Sequence, residues 1–516
     1  MNYKSLMLFV SLGVSPLLSQ ADDVQLQHEI QQLQQQTIAL QNQLNHVQQQ
    51  LGKKSQVKKH PTKKKPSKVK SEGVHNSTVS VKSINGHPES VEYNPVALMA
   101  DGHVVSYIAG MPVVSSPYLG DRPAFDGSDY IVNISSINRD VRLMQQRRRL
   151  YRAYEHMGYP RPNLPIIQLS GKAEPVGSWH QSPTGESTGD WTLGSSELDV
   201  AGAINDKVEA YLALAYDESP PVLGGARVAN SGFNLNMGFV NIGDLDESPY
   251  YFTAGQLYVP FGRFSSAMVS SPLTMRVART KTRPVIFGYK SQQDVGPFAA
   301  AYAYKSDTTL GNSAVGGFNL GYIFNLGCTS GEFGGSIISS MDDAGGMQFT
   351  GSSRASTFAG FSSSTNGSEL VHKVAAGGLH AILNYESYSL TAEWVSSIGR
   401  FRAQDLSFNG HGAQPQAAQL ELGKTFMAFD KPSSIGVGYQ WSHEVLALNL
   451  PEQRVNGVFN ISIWKDTVES IEYRHDFNYG ITQFGNGAAP AGEVNANTMG
   501  PGGSSDTVLA QIGVYF

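Results

Sequence analysis

The chain ends in the stretch Asp506-Thr-Val-Leu-Ala-Gln-Ile-Gly-Val-Tyr-Phe516, which decides its fold class. Side chains of a strand alternate between its two faces, so every second residue from Val508 to Phe516 lies on one apolar face. The opposite face carries Gln511 and other less apolar residues. Such a strand fits either a soluble β-sandwich or a barrel with an apolar exterior, and the rest of the chain must separate the two.

Composition favours a barrel that crosses a membrane. Only 16% of the 516 residues are charged, and the net charge is −5, whereas a typical soluble protein has about 25% charged residues. No internal apolar run reaches the roughly 18 residues that a membrane helix needs. The single cysteine, Cys328, excludes an internal disulfide and any multi-cysteine metal site.

A repeated pattern fills residues 164–516: about ten residues alternate, a connection follows, and the alternation resumes. The sixteen predicted strands lie near 164–173, 197–204, 207–217, 232–242, 250–259, 284–290, 296–305, 315–326, 331–341, 372–385, 388–398, 416–427, 433–442, 454–464, 467–478 and 506–516. These lengths suit a tilted strand that crosses the hydrocarbon layer, which takes about 9–11 residues.

The connections between these strands alternate between short and long. Two-residue links such as Asn205-Asp206 and Glu386-Ser387 alternate with long ones near 260–283 and 342–370. Outer-membrane barrels have short periplasmic turns and long outer loops, whereas a soluble sandwich gives no reason for this alternation. The sequence therefore predicts an all-β transmembrane fold, an antiparallel up-and-down outer-membrane β-barrel of about 16 strands. The terminal residues Phe516, Val514 and Ile512 are assigned as its barrel-assembly signal.

The segments before the barrel predict export from the cytoplasm. Residues 1–21 read as a signal peptide cleaved near Ala21, which predicts a periplasmic N-terminal region attached to an outer-membrane barrel. Residues 22–52 carry about four heptads of a coiled coil, which predicts either a homotrimer or a helix packed on its own domain. Residues 53–70 form a Lys/Pro-rich tether that remains extended.

A mixed periplasmic segment, 71–163, contains an arginine-rich helix predicted near 137–157. One interpretation is a solvated helix. The other is a gate that enters the barrel mouth and lines it with guanidinium groups. The candidate gating residues are Arg142, Arg147, Arg148 and Arg149.

A basic loop follows the fifth predicted strand. Pro260 lacks an amide donor and ends the strand pairing, and no Asp or Glu lies between Phe261 and Tyr289. A barrel of about sixteen strands has a wide lumen, so a loop folded inward would narrow it. Guanidinium and ammonium groups there would select anions. The candidate substrate-binding residues are Arg263, Arg276, Arg279, Lys281 and Arg283. The alternative places them on the outer surface against lipopolysaccharide phosphates.

Catalytic chemistry has little support in the sequence. His380 and His475 lie on strands, but no serine or other nucleophile stands in a recognisable motif, so no enzyme activity is expected. The histidines show no metal-ligand spacing, and we predict no cofactor, no metal and no nucleic-acid partner.

The order of the parts resembles the siderophore porin family typified by the legiobactin receptor, the LbtU-type porins. The matching pieces are Ile137-Asn138-Arg139-Asp140 with Arg147-Arg148-Arg149, the Pro260-Phe261-Gly262 break, and the terminal strand. The resemblance implies uptake of a ferric siderophore, of an anionic polycarboxylate type, without the plug of TonB-dependent receptors. The implied partners are outer-membrane lipid, lipopolysaccharide and the barrel-assembly machinery. A general or anion-selective porin for phosphate or organic anions, and a structural or adhesive envelope barrel, remain the alternatives.

Overall fold

The computed structural model describes part of the chain in detail. The described residues are 81–82, 88–89, 104–108, 111–115, 125–126, 131–132, 137–156, 165–217, 232–293, 295–349, 362–363, 367–368, 371–464, 467–486, 494 and 498–516. All of them belong to one compact unit, Glu72–Phe516. The predicted signal peptide, coiled coil and tether lie outside the described residues.

Sixteen strands of the described residues close into one antiparallel barrel. They are β1 Ile166–Ala173, β2 Glu197–Ala203, β3 Val208–Asp217, β4 Gly232–Ile242, β5 Tyr250–Tyr258, β6 Val285–Lys290, β7 Gly296–Lys305, β8 Ala314–Asn325, β9 Thr329–Ile338, β10 Ala376–Tyr385, β11 Tyr388–Ser397, β12 Gln416–Ala428, β13 Lys431–His443, β14 Gln453–Ile461, β15 Thr467–Phe477 and β16 Ser504–Tyr515. Each strand pairs with the next along the chain, and β16 pairs with β1. The predicted fold class is confirmed.

The closing seam is longer than the sequence predicts. Val514 pairs with Ala173 in β1, and the same register continues past Pro175 onto the strand Val176–Gln181. That strand forms a hairpin with Ser187–Thr192. Residues 174–196, which the sequence predicted as a long connection between the first two strands, are therefore largely an extension of the barrel wall, and this part of the prediction was wrong. The extension was missed in the sequence because Pro175 interrupts the alternation of apolar residues. In the structure, β16 pairs with the residues on both sides of Pro175.

In the barrel wall, apolar side chains are exposed and polar side chains are buried, which is the reverse of the pattern in a soluble protein. In β12, Leu420 and Leu422 are about half exposed, whereas the neighbouring Gln419 and Glu421 are buried. Apolar side chains therefore face outward and polar ones face the lumen, as in a barrel surrounded by lipid. In the terminal strand, Ile512, Val514 and Phe516 are also exposed on the outer face.

The predicted alternation of connections is confirmed and defines two ends of the barrel. The short-turn end carries links such as Glu386–Ser387 and the exposed Cys328. The long-loop end carries α2 Leu273–Ala278, α3 Gly345–Phe349, the 3-10 turn Leu446–Leu448 and the short strands Lys281–Thr282, Ser362–Ser363, Gly367–Ser368, Ser407–Phe408, His411–Gly412 and Gly485–Asn486. The first residue of β1, Ile166, and the last residue of β16, Tyr515, both lie at the short-turn end.

Helix α1, Arg139–His156, precedes the barrel. Before it, the described strands form three pairs: Val81–Lys82 with Pro88–Glu89, Val104–Ile108 with Met111–Ser115, and Phe125–Asp126 with Ile131–Val132. The strand Met111–Ser115 runs parallel to β1. None of the helices in the described ranges combines the length and the apolar character that a membrane span requires.

A buried apolar cluster lies inside the barrel. It joins Met144 of α1, Leu273 and Val277 of α2, Met347 of α3 and Leu446 of the 3-10 turn. These side chains are almost fully inaccessible to water. The lumen is therefore partly filled by helices and inward loops that pack on one another.

The substitution Val437→Lys tests whether the outer face of the barrel wall contacts lipid. Val437 is exposed at the middle of β13, so Val437→Lys should cost about 2–4 kcal/mol of the free energy of unfolding in lipid vesicles. Gln293→Lys, in an exposed turn, is the control and should change stability little. Equal effects of the two substitutions would argue against lipid contact at β13.

Candidate functional site

The loop between β5 and β6, residues 259–284, enters the lumen. Val259 and Phe261 are fully buried directly after β5 ends at Tyr258. The predicted break at Pro260 is therefore confirmed as the point where the chain leaves the wall. The loop then carries α2 across the lumen toward strands β9–β15, as its hydrogen bonds show.

Glu393 of β11 holds the first part of this inward loop. One of its carboxylate oxygens accepts the amide N–H of Arg263 at 2.6 Å, and the other accepts that of Phe264 at 2.9 Å. The Thr274 hydroxyl donates to the same carboxylate at 3.1 Å. Glu393 is buried, so these charge-assisted bonds are shielded from water.

Two further carboxylates hold the middle of the inward loop. Glu421 of β12 accepts the Ser266 hydroxyl at 2.7 Å and the Ala267 amide at 2.8 Å. Glu472 of β15 accepts the amide of Ser270 at 2.8 Å and its hydroxyl as well. Because this part of the loop has no ladder partners, wall side chains satisfy its backbone donors.

Two neighbouring cavities remain between the inward loop and the opposite wall. One has a volume of about 410 Å³, and the other has a volume of about 760 Å³. Both are lined by the loop residues Val269, Ser270 and Ser271, and both reach Gln511 of β16. Both cavities therefore lie between these loop residues and the wall.

The larger cavity carries an excess of positive charge. Arg276 of α2, Arg454 of β14 and Arg474 of β15 line it with a single carboxylate, Asp476. Arg454 contacts Asp476 through two bonds of 2.6 and 3.2 Å, and Arg474 approaches it at 3.1 Å. The formal excess is two positive charges, so this cavity attracts anions.

Arg276 is the exposed member of this basic group. Desolvation inside the barrel, together with the nearby Arg454 and Arg279 guanidinium groups, lowers the pKa of Arg276. Like charges held together in this way gain stability when an anion arrives.

The five basic residues predicted for the inward loop do not lie together at one site. Arg276 and Arg279 line the larger and the smaller cavity respectively, and Arg279 lies 4.5 Å over the Tyr258 ring. Lys281 donates to Asn236 at 2.8 Å. Arg263 instead forms an ion pair with Glu332 at 2.8 Å, and the exposed Arg283 lines neither cavity.

Sequence reasoning missed Arg454 and Arg474. Both stand on the lumen-facing side of alternating strands, since both line the larger cavity. The signal was available, since a charged residue at an inward position of a predicted strand must face the lumen. The basic residues predicted from the sequence lie only in the inward loop and in α1.

Helix α1 lies against the inner wall at the short-turn end. Arg147 forms an ion pair with Glu209 of β3 at 3.3 Å and donates to the Gly243 carbonyl at 2.7 Å. Arg148 donates to the Gln292 carbonyl at 3.0 Å. Gly243 and Gln292 belong to short turns, so these arginines attach the helix to the rim of the barrel.

The first turn of α1 is bound deeper in the wall. Asp140 accepts the Thr253 hydroxyl at 3.0 Å, and Arg139 donates to the Tyr211 hydroxyl at 3.1 Å. Arg142 lines a small cavity of about 60 Å³ together with Arg263. The side chain of Arg149 lies outside the described part of the structure. The interpretation of α1 as a solvated helix is therefore wrong, because its first turns are buried in the barrel.

The remaining titratable groups form no metal centre of a common kind. Within the described ranges, no three His, Cys, Asp or Glu side chains converge on one point. His380 faces Glu332, the partner of Arg263, at 3.3 Å, and His475 contacts Asp506, which also accepts the Tyr473 hydroxyl, at 2.7 Å.

Removal of the Glu393 carboxylate should release the inward loop. Glu393→Ala leaves two amides and one hydroxyl without an acceptor, so we expect a loss of about 1–3 kcal/mol in the free energy of unfolding. Trypsin should also cleave faster after Arg276. Glu393→Gln keeps an acceptor oxygen and should show a smaller change. Unchanged cleavage in Glu393→Ala would mean that other contacts hold the loop.

Solved barrels of outer membranes are similar to this chain at low identity. The anion-selective porin from Comamonas acidovorans aligns with a TM-score of 0.44 and 13% identity, over 68% of this chain and 100% of that chain. The outer membrane channel DcaP of Acinetobacter baumannii aligns with a TM-score of 0.42 and 11% identity, over 68% and 97%.

Sequence relatives are much more similar. No family model matches the chain. A UPF0422 protein of Legionella pneumophila strain Philadelphia 1 is 63% identical over 533 residues, covering 100% of both chains. A UPF0422 protein of Coxiella burnetii is 34% identical over 406 residues, covering 78% of this chain and 83% of the relative. This degree of identity along the whole chain shows that the protein belongs to the UPF0422 family.

Proposed function

We propose that this protein is an outer-membrane porin that admits anionic solutes and carries out no catalysis. The apolar exterior, the polar lumen and the alternation of short and long connections support a location in the outer membrane. The predicted signal peptide and the terminal Phe516 support export and insertion by the barrel-assembly machinery. Lipid and lipopolysaccharide would surround the wall.

The observation that carries the proposal is the charge of the larger cavity. Three guanidinium groups share one carboxylate there, and the inward loop narrows the lumen beside them. Basic groups in a constricted pore favour anions, and a planar guanidinium can hold a carboxylate through two hydrogen bonds. Arg276 is the group on the loop, whereas Arg454 and Arg474 belong to the wall.

We further propose an anionic ferric siderophore of the polycarboxylate type as the cargo. The resemblance to siderophore porins supports this choice, while the name UPF0422 states no cargo. The cavity of about 760 Å³ lies within the range of roughly 300–1,000 Å³ that small-molecule sites occupy. Phosphate or organic anions are the alternative cargo, and a structural or adhesive barrel is the alternative without transport.

Helix α1 would act as the gate of this porin. It lies against the inner wall at the short-turn end, where Arg147 and Arg139 bind the wall and Met144 packs into the buried apolar cluster. A solute that leaves the lumen at this end must pass the helix or displace it. The coiled coil at 22–52 would join three such chains into a homotrimer.

Ion selectivity tests the basic cavity. In planar bilayers with a salt gradient, we expect the wild type to prefer anions and Arg276→Glu to lose much of that preference, because the positive excess in the cavity disappears. Arg283→Glu makes the same charge change outside both cavities and should leave the reversal potential nearly unchanged. Cation preference in the wild type would contradict the proposal.

The proposed gate predicts a change in the mean conductance of the channel. Arg147→Ala removes the ion pair with Glu209 and the bond to the Gly243 carbonyl, so α1 should leave the mouth more often and raise the mean conductance. Lys207→Ala breaks an exposed pair with Glu247 at the same end and serves as the control. Identical conductance in both variants would argue against a gate.

Uptake separates the proposed cargoes. A deletion strain in iron-poor medium should take up less of a ferric polycarboxylate siderophore, while uptake of phosphate remains unchanged. The reverse result favours the general anion porin, and no change in either favours the structural barrel.

A further inference from the structure

The hairpin that extends the barrel wall places a histidine in the larger cavity. His180 lies on the strand Val176–Gln181 and lines this cavity together with the three arginines. Of the described histidines, it alone lines either of the two cavities. A charge on its ring would therefore act on the same solutes as the charges of the arginines.

His180 and Arg474 belong to one row of lumen-facing side chains. Thr507 of β16 is the direct strand partner of His180 on one side and of Arg474 on the other. Nδ1 of His180 lies 3.1 Å from the Thr507 hydroxyl oxygen, and Arg474 donates to the same oxygen at 3.1 Å. A single hydroxyl group therefore joins the imidazole ring to the guanidinium group.

The Thr507 hydroxyl can hold the histidine in either charge state. A hydroxyl is both a donor and an acceptor, so it can donate to a neutral ring nitrogen or accept from a protonated one. Histidine is the side chain that commonly changes its charge between about pH 5 and pH 8. Protonation of His180 therefore adds a positive charge to the cavity without removing the contact that orients the ring.

Charged groups of both signs surround this histidine. Arginines oppose protonation of the ring, and carboxylates favour it. An anion bound among the arginines offsets their repulsion, so protonation and anion binding favour each other. The groups are Arg474 and Asp476 of β15, Asp506 of β16, Asp190 of the second strand of the hairpin, Arg454 of β14 and Arg276 of α2.

We propose that His180 is a specificity-determining residue of the larger cavity, and that its protonation strengthens the preference of the pore for anions. The proposal rests on the porin function proposed above. With a neutral ring, the three arginines and Asp476 leave an excess of two positive charges in the cavity, and a protonated ring raises this excess to three. A larger positive excess in the same confined space attracts anions more strongly and excludes cations.

Reversal potentials across planar bilayers test this role, with a gradient of potassium chloride because neither ion changes its charge with pH. From about pH 8 to about pH 5, the wild type should raise its chloride-to-potassium permeability ratio at least about twofold. His180→Gln keeps a polar side chain that does not titrate and should lose this increase. His180→Lys carries a fixed charge and should keep the high ratio of the acidic wild type at both pH values.

His443→Gln is the matched control, because His443 of β13 lines neither cavity. This variant should keep the full response of the wild type to pH. An unchanged response in His180→Gln, or no response in the wild type, would overturn the assignment. If His180→Gln does not fold, a ratio that still rises at acidic pH in His180→Lys would overturn it equally.

Sulfate gives a second readout, because it stays divalent over this pH range. Sulfate should inhibit the chloride current of the wild type several-fold more strongly at the acidic pH, and it should inhibit His180→Gln equally at both. A preference for cations at both pH values would contradict the porin proposal itself. A preference for anions that does not depend on pH would reject only the role of His180.

Discussion

The structure depends on carboxylates of the wall that accept backbone amides of the inward loop. Glu393, Glu421 and Glu472 each bind two or more donors of one loop, at positions spread over β11, β12 and β15. A loop inside a barrel would otherwise leave its N–H groups buried without acceptors. These bonds let a chain without ladder partners lie inside the barrel along one path.

This arrangement also separates the acidic side chains of the lumen from the basic ones. The acidic side chains lie behind the loop, buried against its backbone, whereas Arg276, Arg454 and Arg474 face the open cavity. Only Asp476 opposes these three arginines there. The loop therefore shields the carboxylates from the pathway, and a barrel with a net negative chain presents a positive surface to a passing solute.

The two ends of the lumen are controlled by different elements. At the short-turn end, α1 is attached by Arg147 and Arg148 to turns of the rim. At the long-loop end, α2 and α3 pack on each other and on buried side chains of the loops, such as Leu446 and Met347. Helix α1 at one end and the packed loops at the other leave open space beside the inward loop, in the two cavities that Ser270 and Ser271 line.

The pattern of residues along the chain was enough to predict the wall of the barrel. All sixteen strands lie within a few residues of their predicted positions, except that the extension of β1 past Pro175 was missed, and the two ends follow from the connection lengths. Alternation along a strand and turn length are local properties, so the residue pattern is enough to specify them. The entry of the basic loop and of α1 into the lumen, which remained one of two alternatives at the level of sequence, is seen only in the folded chain. Their paths depend on contacts between residues far apart in the chain, such as the amide of Arg263 and the carboxylate of Glu393, and no local pattern encodes such a pair.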